Sequence, residues 1–535
     1  MKSIISVLLG SMAILGCLPQ PNVASAVTVS SMFTNHLVLQ RDMRNPVWGW
    51  ARPGQKVTVQ FAGRSTSATT DKQGDWMVKL PPLKASAIPR NLTIFSGKKN
   101  IVLHDVLVGD VWLCSGQSNM QYPMAAWGNR TNLAAALAKG NHPNIRLYHV
   151  PMIESNFTGT PRRQTPDGTA WQRCTPVNLA PFSAVGYFFG LNLHERLGVP
   201  IGLIEADWGG TNIEAWIPQQ GYLAVPQLKT DQAWLRTMAV RQAKLDANYL
   251  NAMTAWLARA KKAVRAGRDI GPQPRRLDAI RAAHAFDYPI PPTDWQPDPH
   301  QNPTTLFNGM INPLIPYAIR GTIWYQGENN VTSHDHLYYY HLKALIGSWR
   351  KLWHEGNFPF YIVQIAPYDY GHDAAMEPVI WHTQERAARR IPDSGIASTM
   401  DIGNIHNIHP ADKADVGHRL ALIALAKAYG FKHIIYSGPQ FKSAAFSGDH
   451  VVIAFRNVGG GLVARNGKSL SWFQIAGSDG KFFPAQAAIV GNTVVVHAAN
   501  VTQPTAVRFA WSDVAVPNLE NKANLPALPF EAVKK

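Results

Sequence analysis

Acidic residues are in short supply. The chain of 535 residues holds 34 Asp and Glu against 51 Lys and Arg, a formal net charge of +17. The basic residues are scattered. There is no Lys/Arg tract, no zinc-finger spacing and no glycine-rich phosphate loop, which argues against nucleic acid as a partner. A positive field suits acidic substrates, although basic chains are common without them. Charged residues make up only 16% and hydrophobic ones 46%, which excludes a disordered chain. Cysteine is nearly absent, with Cys17, Cys114 and Cys174 alone, so a disulfide-stapled scaffold is excluded. Cys17 falls in a leader. That leaves Cys114 and Cys174 as either one bridge or two buried thiols.

What is present points to a large exported protein. The length calls for about two to four domains. Met1–Ala26 reads as a signal peptide: Lys2 gives a positive start, Ile4–Leu18 is apolar, and Ala24-Ser25-Ala26 offers small residues for cleavage. Cleavage after Ala26, into the periplasm or the medium, is expected over lipid attachment at Cys17. No later stretch reads as a membrane span.

Residues 27–105 read as all-β. Short alternating runs such as Lys56–Phe61 and Asp75–Leu80 are separated by turn residues, which suggests a small sandwich. From 106 to about 435 strands alternate with helices, the pattern of a parallel sheet covered by helices. Val106–Leu113 is a buried strand that breaks at Cys114-Ser115-Gly116-Gln117 before Ser118. An insertion at 221–303 interrupts the pattern. Asp231–Arg265 places apolar residues from Trp234 to Val264 at helical spacing, and Tyr288–Pro303 is a proline-rich extended loop that suits the rim of a cleft. Residues 436–535 return to short strands. Trp 17, Tyr 16 and Phe 20 supply many flat apolar faces, which permit a carbohydrate ligand without requiring one.

Three polar loops follow three of the expected strands. They carry Ser118, then Gln326 with Glu328, then His409. A fourth carries Gly209-Gly210. Open α/β sheets place their chemistry at such strand ends. Singly each loop is ordinary, since serine is a common helix cap and a lone histidine is more often structural. Together they supply the parts of acyl transfer. A serine hydroxyl needs a base, and the His409 imidazole titrates in the right range. Pro410 suits a first helical position, which would put His409 at the N-cap, where the helix dipole disfavours imidazolium. Backbone N–H groups of Ser118 and Gly210, with the Gln326 amide, are the candidate oxyanion donors.

Four motifs in order carry a resemblance: Gly116-Gln117-Ser118-Asn119; Trp208-Gly209-Gly210-Thr211 with Ile213-Glu214-Ala215-Trp216; Gln326-Gly327-Glu328; and Ile408-His409-Pro410. They resemble the sialate O-acetylesterase family of SGNH hydrolases. Met32–Leu39, Trp48-Gly49-Trp50 and Asn518–Phe530 look like that family too, and residues 221–303 are the least familiar part. The resemblance implies an α/β fold with an SGNH-hydrolase, flavodoxin-like parallel sheet flanked by helices, and accessory β-sandwich regions at both ends. It implies Ser118 as nucleophile and His409 as base. It implies an oxyanion hole from Ser118, a glycine of the second motif (Gly209 or Gly210) and Gln326. The substrate would be an acetylated oligosaccharide or polysaccharide, with no metal and no other cofactor.

One departure stands out. The family often has Asp two or three residues before the histidine, and here those positions are Asn407 and His406. Asparagine accepts a hydrogen bond but cannot neutralise imidazolium. Four readings follow. Asn407 or a backbone carbonyl orients His409; Asp401 or Glu328 does so from elsewhere; the pair works as a dyad; or the enzyme is impaired. The last gives the alternative function, a non-catalytic carbohydrate-binding protein built on a dead esterase core. A metal site from Asp401, His406, His409 and Asp412 is a third option. For the sugar, sialic acid suits the positive charge. Acetylated plant-wall hemicellulose suits the aromatic content and the proline-rich rim, and is preferred.

Overall fold

A computed structural model describes residues 27–127, 139–155, 161–268, 299–371 and 375–534. The expected leader and most of the proline-rich segment lie outside them, as do the side chains of Leu245 and Tyr249 on the expected apolar stripe.

The chain opens with strands β1 (Thr28–Val29), β2 (Val38–Gln40), β3 (Asn45–Trp50), β4 (Lys56–Phe61), β5 (Arg64–Thr69), β6 (Asp75–Leu80) and β7 (Ser86–Ser96). Their alternation buries Val57, Val59 and Phe61 on one face of β4, and Trp76, Val78 and Leu80 on one face of β6. β1, β3 and β6 form one antiparallel sheet, while β4 pairs with β5 and β7. β8 (Lys99–Gly116) is 18 residues long. Its first half pairs antiparallel with β7, and from Val106 onward every residue is buried. The 105/106 boundary expected from the change of pattern therefore falls inside one strand.

The second half of β8 is the centre of a larger sheet. With β9 (His142–His149), β10 (Trp171–Cys174), β11 (Ile201–Asp207), β12 (Gly321–Tyr325), β13 (Phe360–Val363) and β14 (Ser394–Ala397), the order is β10-β9-β11-β8-β12-β13-β14. All neighbours run parallel except β10, which is antiparallel to β9. The apolar run read as a buried strand is the expected signature of such a position. Helices Ala184–Leu197 and Lys413–Lys427 pack on each other, as do Tyr338–Trp353 and Met376–Arg390, and the pairs cover the sheet. Gly417 lets the first pair close up, since a Cβ there would stand 2.7 Å from the Phe189 backbone nitrogen.

Cys114 and Cys174 are both buried free thiols. Cys114 lies on β8 and Cys174 on β10, with β11 and β9 between them. Three strand spacings alone put them at least about 14 Å apart, beyond the reach of a disulfide.

The inserted helix spans Lys229–Arg265, 37 residues. Met253, Trp256, Leu257 and Ala260 form a small buried cluster of their own, whereas Val264 is exposed. At the C-terminal end, strands Gln440–Ser447, His450–Arg456, Thr493–His497 and Gln486–Val490 form one sheet. Phe473–Ala476, Phe482–Pro484, Ala506–Phe509 and Phe530–Val533 form another. Phe441, Phe455, Phe473, Phe509 and Phe530 stack between them. Among the described residues no helix is long and apolar enough to cross a membrane.

Candidate active site

The parallel strands β8, β11, β12 and β14 deliver their loops to one edge of the sheet. β8 ends at Gly116, with φ +144°. A Cβ there would stand 2.1 Å from the Tyr325 carbonyl oxygen of β12, so only glycine lets the two strand ends meet. Gln117 N–H then donates to that carbonyl at 3.0 Å. Ser118 follows as the first residue of a one-turn helix, Ser118–Gln121, in which it caps nothing.

His409 lies on the loop after β14. Its Nε2 is 2.9 Å from Ser118 Oγ. Burial first, and then the charge of Lys413, hold the imidazole below the ordinary histidine value of 6.5. The ring therefore rests neutral and able to accept the serine proton. The helix that follows begins at Lys413 and is capped by Asp412, whose carboxylate accepts from Asp415 N–H at 2.9 Å. His409 is thus not the N-cap, and burial and Lys413 replace the expected dipole effect. Asp412 is the stronger cap, because its carboxylate satisfies a free N–H that proline at 410 cannot.

The three candidate orienting groups stand elsewhere. Asn407 Oδ1 accepts the backbone N–H of His409 at 3.0 Å and so holds the loop rather than the ring. Asp401 is clamped by both nitrogens of Arg419 at 2.6 Å. Glu328 is buried and accepts from Asn119 Nδ2 at 2.6 Å. Among the described residues none donates to or accepts from His409 Nδ1. The grouping of Asp401, His406, His409 and Asp412 does not assemble either. Asp401 belongs to Arg419, Asp412 to its helix and His409 to Ser118.

Two of the expected oxyanion donors are already engaged. Gln326 is fully buried, and its Nε2 donates to Thr211 O at 3.0 Å and Asn330 Oδ1 at 2.6 Å. Its Oε1 accepts from Tyr338 OH at 2.8 Å. One N–H holds the Gly209–Asn212 loop directly and the other holds Asn330, whose Oδ1 accepts the Ile213 N–H at 3.0 Å, so Gln326 braces the loop from behind. Gly209 N–H donates to Gln121 Oε1 at 2.7 Å. The N–H groups of Ser118 and Gly210 have no hydrogen-bond partner among the described residues. Gly210 sits at φ +69° at the exposed tip of the loop.

Four side chains that sequence reasoning passed over build this arrangement. Gln121 spaces the glycine loop from the nucleophile. Gln301 accepts from Asn212 N–H at 3.1 Å and donates to Gly210 O, tying the end of the insertion to the same loop. Asn119 and Lys413 lie beneath Ser118 and His409. Only Asn119 left a trace in the sequence, as the residue after Ser118 in the first motif.

A second polar cluster lies behind the loop. Glu214, Asp335 and His341 bring potential ligand atoms within 4.8 Å of one another. His341 Nδ1 is 2.8 Å from Asp335, and its Nε2 is 3.6 Å from Asp231 on the inserted helix. Burial pulls the His341 ring down, but the charges of Asp335 and Glu214 outweigh it and hold it well above the usual histidine range. Asp335 and Asp231 flank the ring from both sides, so the cluster ties the inserted helix to the body.

The chain is similar to known carbohydrate esterases. Residues 291–426 match the family described as carbohydrate esterase, sialic acid-specific acetylesterase. The sialate O-acetylesterase of Rattus norvegicus is 30% identical over 453 residues, covering 77% of this chain and 75% of that protein. The human sialate O-acetylesterase is 29% identical over 456 residues, covering 77% and 72%. The crystal structure of a carbohydrate acetylesterase from Xanthomonas citri superposes with a TM-score of 0.76 at 33% identity, covering 95% of this chain and 99% of that one. The chain belongs to the sialate O-acetylesterase family, carboxylic ester hydrolases that act on sugar acetyl groups.

Proposed function

We propose that this protein is an exported serine esterase that removes O-acetyl groups from sugars through an acyl-enzyme. The observation that carries the reading is the 2.9 Å contact between Ser118 Oγ and a neutral His409 Nε2. Ser118 attacks the acetyl carbonyl while His409 takes its proton. The N–H groups of Ser118 and Gly210 receive the oxyanion. Collapse expels the sugar oxygen, which takes the proton back from His409. Water then gives a proton to His409 and attacks acetyl-Ser118, and acetate leaves as Ser118 recovers its proton. With no carboxylate at Nδ1 among the described residues, the pair works as a dyad.

An SGNH-type reading of the sheet is supported by the run β11-β8-β12-β13-β14, which in chain order is 2-1-3-4-5. In that arrangement ligands sit where the order reverses, and here that is the crevice between β8 and β12, at Ser118. We assign acetylated hemicellulose-type oligosaccharides as the substrate class. Trp208, next to Gly209, stacks on His300 at 4.6 Å and 10°, which gives the nucleophile a flat aromatic neighbour.

The test is acetate release from acetylated xylan- and xyloglucan-type oligosaccharides and from acetylated sialic acids. Wild type should release acetate and Ser118→Ala should not, while sugar binding persists. Binding without release by the wild type would make this a carbohydrate-binding protein instead. Faster release from sialic acids would overturn the substrate assignment. Export is checked by the mature N-terminus, expected at Val27.

A further inference from the structure

Lysine is a poor residue to open a helix, because the positive end of the helix dipole repels it. Lys413 nevertheless opens Lys413–Lys427, and it is fully buried. Its ammonium donates to Asn119 Oδ1 and lies 5.5 and 5.3 Å from the ring centres of Tyr122 and Tyr325. The other end of that amide donates to Glu328 Oε1 at 2.6 Å and to the Ile408 carbonyl at 2.9 Å. Lysine only donates and a carboxylate only accepts, so the amide has a single orientation. Asn119 follows Ser118, and Ile408 precedes His409. One side chain thus ties the backbone beside the nucleophile to the backbone beside the base.

We propose that Lys413 is a positioning residue for the Ser118–His409 pair. Through Asn119 it locks the two catalytic segments in register, and its charge opposes protonation of the resting base. The proposal rests on the serine-esterase reading above. In the Ser-His-Asp arrangement a carboxylate on Nδ1 fixes the ring and its tautomer. Here the loop that carries the ring is fixed instead, by Asn407 on the N–H of His409 and by Asn119 on the preceding carbonyl. Glu328 supplies the opposite charge, so the buried group is neutral as a whole. Burial brings Lys413 down to about 7, against the pull of Glu328 and Asp412, so it is charged on the acid side, where the base is at risk of protonation. The titratable groups facing His409 and Lys413 are Glu328 after β12, Asp412 before the helix, and the phenols of Tyr122 and Tyr325. Glu377 on Met376–Arg390 faces Glu328 in turn.

The experiment is the rate of inactivation by a fluorophosphonate as a function of pH, with the labelled residue located by mass spectrometry. It needs no sugar. Wild type should be labelled at Ser118. In Lys413→Met the plateau rate should fall about tenfold or more, as for other small misplacements of reacting groups. The acid limb should move to higher pH. Lys413→Arg should restore the position of that limb. A folded Lys413→Met with the wild-type limb and plateau overturns the proposal. If Lys413→Met does not fold because Glu328 is left unpaired, Lys413→Met/Glu328→Gln replaces it, with the same expectations. Failure of the wild type to label at Ser118 would overturn the esterase reading itself, and so separates the two.

Discussion

The side-chain oxygen of Gln121 accepts the backbone N–H of Gly209 across 2.7 Å. This one bond spaces the helix that carries Ser118 from the loop that carries Gly210. It also removes Gly209 from the set of free donors. Gln121→Ala should therefore lower kcat by about tenfold or more with little change in stability, since misplacing an oxyanion donor is felt mainly in the transition state. Steady-state kinetics beside thermal melts would check it; an unchanged kcat would show that the loop holds its place without Gln121.

Glycine matters at two places on this edge, for different reasons. At Gly209 a Cβ would meet Gln121 Oε1 at 2.9 Å, which the flexible amide can relieve, and Ser118 Cβ at 3.1 Å, which asks for a shift of a few tenths of an ångström at Ser118 itself. At Gly116 it would meet the β12 backbone at 2.1 Å. Gly209→Ala should fold and lose activity. Gly116→Ala should cost stability by about 3 kcal/mol or more, at the upper end of overpacking penalties. Denaturant midpoints for the two variants decide the matter.

The pH profile of kcat/KM has a fixed direction. His409 is held below 6.5 by burial and then by Lys413. Activity needs the neutral ring, so kcat/KM should rise with pH, with the midpoint of the limb below 6.5. A limb at or above 6.5 on a simple acetyl ester would contradict the neutral resting base.

Asp401 gives the opposite expectation to an orienting carboxylate. It is clamped by Arg419, which is itself buried. Asp401→Asn should destabilise the fold by about 3 kcal/mol, as when one partner of a buried pair is removed. It should leave kcat within about threefold, since surviving molecules keep the site geometry. A loss of kcat by several orders of magnitude in a folded Asp401→Asn protein would restore Asp401 to the catalytic group.

His341 joins the inserted helix to the body through Asp231 and Asp335. Its folded pKa lies above its unfolded one, so its stabilisation is fully present below 6.5 and is lost as pH rises through the raised folded value. His341→Gln should cost about 3 kcal/mol at pH 5–6. The difference from wild type should narrow as the solution becomes alkaline. Paired melts from pH 5 to 9 read this directly.

The parts of the site legible in the sequence are those set by local pattern. An unbroken apolar run marks β8, a turn follows it, and Ser118 sits at the break. His409 was legible because a reactive residue stood at a comparable break. The oxyanion role given to Gln326 failed because its amide is claimed by Thr211, Asn330 and Tyr338, which reach it only through the fold. The helix start failed for a subtler reason. Pro410 is a valid opening signal, but Asp412 offers a side-chain acceptor and wins. A bridge between Cys114 and Cys174 was open on composition and is closed by strand order. Lys413 could not be read as buried at all, because charge normally argues for the surface.

β8 also bears on how this protein changes through descent. It belongs to two sheets at once, paired with β7 in its first half and with β11 and β12 in its second. A crossover between relatives at Gly97-Lys98 would leave β8 whole but would make it pair with a foreign β7. Substitutions that twist or shift the hairpin with β7 are transmitted along a continuous backbone to Gly116, two residues before Ser118. The pairing of the N-terminal strands thus bears on where Gly116 sits.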